Sequence, residues 1–369
     1  MLIKDNLTIK NKILQLLKVH HFNMNLSDAL IGLFFDQTSL LNSFLDQDKA
    51  INKGSKSLGM MKALIHSKLA LSLSNSIQKD LLNQVMNASI KELQLKDYIG
   101  NPFYQAMKSS FNSSGKWKLV QESYKPFQPV ICGDVITLEH GDFLDITPIG
   151  YFKEKFSFLA LKERDVTWMS ITPFEIETMT VPLAKVRGTV LALGLGLGYF
   201  ASMAAMKDNV DKVIVVEKDK KVIDLYRNYI QPLLPYQNKI TIIHQDAFDF
   251  LNQKIKTDHI FVDIYRTAQD GLPLYAAFKK LENKFGDIEF HYWLEDSILG
   301  LFRRYLMIYL EEQLQGLKHE NYQSPKTIDD RVLSEIHHLN HQRNIENITG
   351  LQSWLSKENM KRMIVDINI

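Results

Sequence analysis

Thr189-Val190-Leu191-Ala192-Leu193-Gly194-Leu195-Gly196-Leu197-Gly198-Tyr199 carries an apolar, β-prone stretch straight into three alternating glycines. Phe200 to Met206, which follow, have the composition of a helix. Glycines are needed at such a turn because a side chain would hold the backbone away from a bound ligand. Working outward, Lys212–Val216, Ile240–His244, His259–Val262 and Asp287–Trp293 are further apolar, β-rich runs. Helical segments, Lys220–Tyr229 among them, lie between these runs. That alternation predicts an α/β fold with a parallel sheet covered on both faces.

Ligands of such sheets bind outside the carboxyl ends of the strands, and three acids fall there. Glu217 ends the second strand, where a carboxylate can accept from both ribose hydroxyls. Asp246, followed by Ala247, ends the third and can accept from an adenine amino group. Asp263 ends the fourth, beside the expected position of the ligand's charged end. Each acid alone reads equally well as a solvated strand end or a helix N-cap. In this order they point to a bound nucleoside. A nicotinamide dinucleotide fits less well, since its G-x-G-x-x-G pattern needs a glycine where Tyr199 stands. No second nucleotide-binding half follows residue 300.

From about Phe174 to Leu281 these residues resemble the class I S-adenosylmethionine-dependent methyltransferases, particularly their spermidine-synthase-like branch. Phe174–Leu183, Gly194–Gly198, Val216-Glu217-Lys218-Asp219, Asp246-Ala247-Phe248 and Val262-Asp263 are similar to its successive motifs. The resemblance implies a Rossmann-like domain over residues 186–299 with S-adenosylmethionine as cofactor. It implies Glu217 on the ribose, Asp246 and Ala247 at the adenine, and the Gly194, Gly196 and Gly198 backbone beside the methionine portion. Asp263 is then the expected holder of the cofactor amine, and Asp263 and Tyr265 are the candidate catalytic residues. Polyamine synthases of this branch carry one acid within the glycine loop and another three residues after the fourth-strand Asp. Here those positions are Leu197 and Arg266. A polycationic amine needs clustered carboxylates, so the expectation is methyl transfer to a small-molecule acceptor. An aminopropyltransferase and a non-catalytic nucleoside-binding sensor or scaffold are the rivals.

The flanks are of other kinds. Residues 1–115 space Leu, Ile, Met and Phe by three and four, which predicts a helical N-terminal domain closed by Asn112–Gly115 as a linker or turn. Residues 116–185 predict a small β-rich segment and a lead-in helix, opened by Thr172-Pro173-Phe174-Glu175 in capping-box form. Residues 300–369 predict a helical extension, with Met363–Ile369 as a candidate strand. Asn101-Pro102-Phe103-Tyr104 lacks the second proline of the amino-methylating signature it resembles and reads as a turn. His337, His338 and His341 read as a solvated helix face and His244 as a core residue; no metal is expected.

A formal net charge of +2, from 44 basic and 42 acidic side chains, points to neither nucleic acid nor an anionic membrane. The one cysteine, Cys132, excludes an internal disulfide and a multi-cysteine zinc site, and fits the cytoplasm. Lysines and asparagines interrupt every apolar stretch near the N-terminus, so no signal peptide is expected. The pattern is compatible with a homo-oligomer.

Overall fold

The structure, a computed structural model, describes residues 2–3, 7–35, 42, 57–72, 75–107, 112–114, 117–139, 142–163, 165–253, 255–316, 325–340 and 344–369. The five strands that the hydrophobic runs predict form one wholly parallel sheet. Gly188–Leu193, Val210–Glu217, Ile240–His244, His259–Val262 and Glu289–Tyr292 lie in the spatial order third, second, first, fourth, fifth. Val190 to Leu193 and Ile260 to Val262 are buried, as strands covered on both faces must be. The chain leaves the first strand toward one side of the sheet and reaches the fourth on the other. This reversal opens a crevice at the carboxyl ends. Leu193 pairs with both Val216 and Val262, so the glycine turn, Glu217 and Asp263 emerge at one level.

The β-rich segment contributes a four-stranded antiparallel sheet in the order Val166–Ser170, Phe156–Glu163, Trp117–Tyr124, Asn112–Ser114. Asn112–Ser114, expected as part of a linker or turn, is thus the outer strand of a hairpin, and Gly115 lies outside the described residues. The β-branched and aromatic residues of Trp117–Tyr124 supply a ladder against which even a polar segment can pair.

The helical ends of the chain pack together. The first helix, Leu7–Phe35, buries Ile9, Ile13, Leu16 and Leu17 in the same core as the parallel sheet. Val332, Ile336, Trp354, Met360 and Ile364 of the C-terminal helices share that core. The helix continues through Phe22, Leu26, Leu30 and Leu33 into a second core with Met61, Ile65, Leu82 and Val85. Leu2–Ile3 pairs in parallel with Asn344–Ile345. Arg303 is buried, and its guanidinium donates to the Leu355 carbonyl, the Thr137 hydroxyl and Glu139, each at 3.1 Å. A charge so enclosed is tolerable only because each side of the fork has an acceptor.

Three local expectations are corrected. Met363–Ile369 is no strand, because Lys357–Asp366 is a helix capped by the Ser356 side chain on Asn359 N–H. His244 is exposed, with Nε2 3.1 Å from the Lys218 carbonyl, since its strand lies at the sheet edge. His337 faces inward on the Tyr309 ring with Nε2 2.8 Å from Glu312, and His341 lies outside the described residues. Among the described residues, no helix is long and apolar enough to cross a membrane.

Candidate functional site

The three glycines of the turn have φ of 98°, 55° and 78°, all left-handed, yet they serve different ends. A Cβ on Gly194 would lie 1.9 Å from the Asp263 carbonyl oxygen, and one on Gly198 2.1 Å from the Tyr226 ring. The outer glycines therefore let the fold close on itself. A Cβ on Gly196 would meet only the Met169 sulfur, at 3.6 Å. Gly196 is the position where the turn leaves room for something other than protein.

Glu217 reaches back across this turn. Its Oε2 accepts from Leu195 N–H at 3.0 Å and its Oε1 from Asp219 N–H at 2.8 Å. Each carboxylate oxygen retains a further lone pair for a diol. Glu217→Ala is expected to weaken nucleoside binding by about 1.5–3 kcal/mol, the range for hydrogen bonds to a charged group. Isothermal titration checks this, and an unchanged affinity in the folded variant would remove the ribose assignment. Because Glu217 also ties down the turn, the variant should melt at a lower temperature than wild type.

Asp246 is exposed and caps the helix Ala247–Leu251, its Oδ1 accepting from Phe248 N–H at 2.8 Å and Asp249 N–H at 3.4 Å. This is the N-cap alternative that the sequence left open, and it fixes the carboxylate at the third strand's end beside buried Ala247.

Asp263 is half-buried directly after the fourth strand, its N–H donating to the Leu193 carbonyl at 2.9 Å. Burial, reinforced by the charge of Glu217, pushes its carboxyl up to about 7. Glu175, which the sequence reading missed as a site residue, lies on the lead-in helix Pro173–Lys185 within reach of its charge. Burial and then the charge of Asp263 push Glu175 up to about 8. The signal for it was misread. Thr172-Pro173-Phe174-Glu175 has capping-box form, yet Thr172 makes no side-chain cap and instead meets the Tyr124 hydroxyl. A carboxyl held protonated up to near neutral pH can take up or give a proton there.

Other candidates have structural duties. Tyr265 is buried, and its hydroxyl donates to the Trp293 carbonyl, which withdraws it from proton transfer in the crevice. Asp270 forms a true capping box with Thr267 and also accepts from Arg266 N–H at 3.0 Å. Leu197 is buried inside the turn, and Arg266 is exposed. Glu295 accepts from the Tyr275 hydroxyl at 2.6 Å and from Lys361, and Asp296 from Lys357. Trp293 stands edge-on to Phe174 with its indole N–H on the Thr178 hydroxyl, fixing the lead-in helix over the strand ends. Asn101 caps its own short helix through Phe103 N–H, and its amide donates to the Tyr199 hydroxyl beside the glycine turn.

Residues 178–280 match the family model of the spermine/spermidine synthase domain, which covers less than half of the chain. Spermidine synthase from Thermotoga maritima is 19% identical at a TM-score of 0.24, over 34% of this chain and 48% of its own. A spermidine synthase in complex with the transition-state analogue AdoDATO is 18% identical at a TM-score of 0.24, over 30% of this chain and 43% of its own. The chain thus spans less than half the length of either structure. No curated protein matches it.

Proposed function

We propose that this chain is a transferase of the spermidine-synthase type, moving an aminopropyl group from decarboxylated S-adenosylmethionine to an amine. The observation that carries this reading is a pair of acids whose carboxyls burial pushes toward neutrality, Asp263 at the end of the fourth strand and Glu175 on the lead-in helix, the second also raised by the charge of the first. The match to the spermine/spermidine synthase domain supports it over the methyl transfer expected from the sequence.

The reaction is a displacement in which the acceptor nitrogen bonds to the propyl carbon and the carbon–sulfur bond breaks, its electron pair remaining on sulfur. The nitrogen must shed a proton, and the protein's task is to receive it. Asp263, with a carboxyl near neutrality, is the group to do so, with Glu175 as its neighbour. The same pair supplies negative charge for a cationic amine, a role for which Leu197 and Arg266 offer nothing. An acid moved to the lead-in helix answers the difficulty those two substitutions raise. Gly196 provides the open face of the turn, Glu217 the diol acceptor and Asp246 the adenine partner.

One observation favours a second reading. Arg266 stands where an acid is expected, and its guanidinium suits the carboxylate of intact S-adenosylmethionine, which would make the protein a methyltransferase. Titrating both nucleosides into the protein, and analysing the amines formed from putrescine by mass spectrometry, separates the cases. Tighter binding of the decarboxylated nucleoside with an aminopropylated product is expected. A preference for intact S-adenosylmethionine with a methylated product gives the second reading. Binding without turnover on any amine leaves a nucleoside sensor.

A further inference from the structure

The amino ends of the fourth and fifth strands carry a second cluster, on the opposite edge of the sheet from the crevice. His259 begins the fourth strand and Glu289 the fifth, and the parallel register sets His259 beside Glu289 and Phe261 beside His291. Residues two apart on a strand share a face, so the two imidazoles and the carboxylate project from the same side. Both histidines are buried, their rings 5.3 Å apart and nearly parallel, with Nδ1 of His259 3.1 Å from Nε2 of His291. Glu289 Oε2 lies 3.7 Å from the first nitrogen, and Oε1 lies 3.9 Å from the second.

The geometry points to a divalent transition-metal site, with zinc the ion it suits best, held by His259 Nδ1, His291 Nε2 and Glu289. The three donor atoms lie within 4.8 Å of one another. Ligands 2.0–2.1 Å from a tetrahedral zinc stand about 3.3 Å apart, close to these separations. An imidazole pair alone accounts for the nitrogen–nitrogen contact but not for the carboxylate. Its oxygens aim at the same two nitrogens from distances too long for hydrogen bonds and suited to donors that share an ion. Two imidazoles and one carboxylate form a borderline set that favours zinc over calcium or magnesium, and the fourth position falls to water.

Two of the neighbouring charged groups are engaged elsewhere, while the exposed Arg187 bears on His259. Asp258 accepts from Thr189 N–H at 2.7 Å, and Lys207 caps the lead-in helix by donating to the Val186 and Leu183 carbonyls. Lys185 lies 4.0 Å from Glu289 and would yield its partner to the ion. The site stands apart from the crevice. Asp263 lies just beyond the other end of the same four-residue strand, about 13 Å away at some 3.3 Å per residue. An ion here ties the edge strand, whose far end carries Trp293, to its neighbour.

The test uses the full chain after treatment with a chelator, titrated with zinc chloride by calorimetry and melted with and without zinc. One saturable site and a higher melting temperature with zinc are expected. His259→Gln and His291→Gln should each weaken the site by about a hundredfold, and Glu289→Gln by about tenfold. Glu289→Gln alters only a half-exposed side chain at the strand edge and keeps both imidazoles, so it reads the site in a folded protein even if a histidine variant does not fold. Cobalt added in place of zinc should give the visible absorption of a tetrahedral centre, absent in His291→Gln. No saturable zinc site, or one whose affinity all three variants leave unchanged, overturns the inference.

Discussion

Gly194→Ala is expected to lower the stability of the whole chain by about 3–5 kcal/mol, whereas Gly196→Ala is expected to cost only about 1–2 kcal/mol and to abolish nucleoside binding. Both glycines sit at positive φ, where any L-residue is strained. The difference lies in what the new methyl meets. At Gly194 it would overlap the Asp263 carbonyl oxygen at 1.9 Å, and that oxygen belongs to backbone at the end of a central strand. Relief would require separating the first and fourth strands, which pair from Val190↔His259 to Leu193↔Val262 in the middle of the core. At Gly196 the methyl meets one methionine sulfur at ordinary contact distance. The cost there is backbone strain alone, and the methyl occupies the space left for the ligand. Urea denaturation of the two variants, with titration of the nucleoside into whichever remains folded, reads both effects. Wild-type affinity in Gly196→Ala would place the ligand away from this turn.

The contrast also explains what could be read from the sequence. Strand periodicity and the order Gly194–Gly198, Glu217, Asp246, Asp263 are local facts, and a parallel sheet converts them into one shared edge. The five-stranded order and the position of the crevice follow from them. What escaped depended on partners distant in sequence. Glu175 was hidden because a capping box and a crevice acid have the same local pattern, and only the Thr172–Tyr124 contact decides between them. Tyr265, a catalytic candidate by its place after the fourth strand, gives its hydroxyl to the Trp293 carbonyl, 28 residues on. His259 lies about thirty residues before Glu289 and His291, with no diagnostic spacing, and strand register alone brings it to them. Helical periodicity located the terminal helices, but it carries no information on which helices share a core. The first helix therefore gave no sign that its early turns pack with the last ones of the chain.

Asp263→Asn is expected to lower kcat/KM by about 10²–10⁴-fold while leaving nucleoside binding intact, the range for loss of a positioned proton acceptor. In the wild-type protein the rate should rise as pH increases through about 7, where Asp263 loses its proton, and level off above about 8, where Glu175 has lost its own. Glu175 is still protonated while Asp263 ionises, so Glu175→Gln keeps the neutral neighbour that Asp263 meets; the limb near pH 7 should stay in place, and the loss of rate should be smaller than for Asp263→Asn. Stability must run the other way. Both folded carboxyls hold protons more tightly than the same groups in the unfolded chain. Their contribution is therefore complete below about pH 4 and is lost as pH rises through about 7 to 8. Asp263→Asn should accordingly lose less stability than wild type between pH 5 and pH 8, measured by urea denaturation at each. These two signs together distinguish a functional acid pair from a structural one. A hydrogen bond that merely held the lead-in helix in place would be broken by the substitution, and the variant would be less stable at every pH. Full activity in Asp263→Asn, or a rate limb near pH 7 that survives in that variant, would mean that the amine gives its proton to some other group.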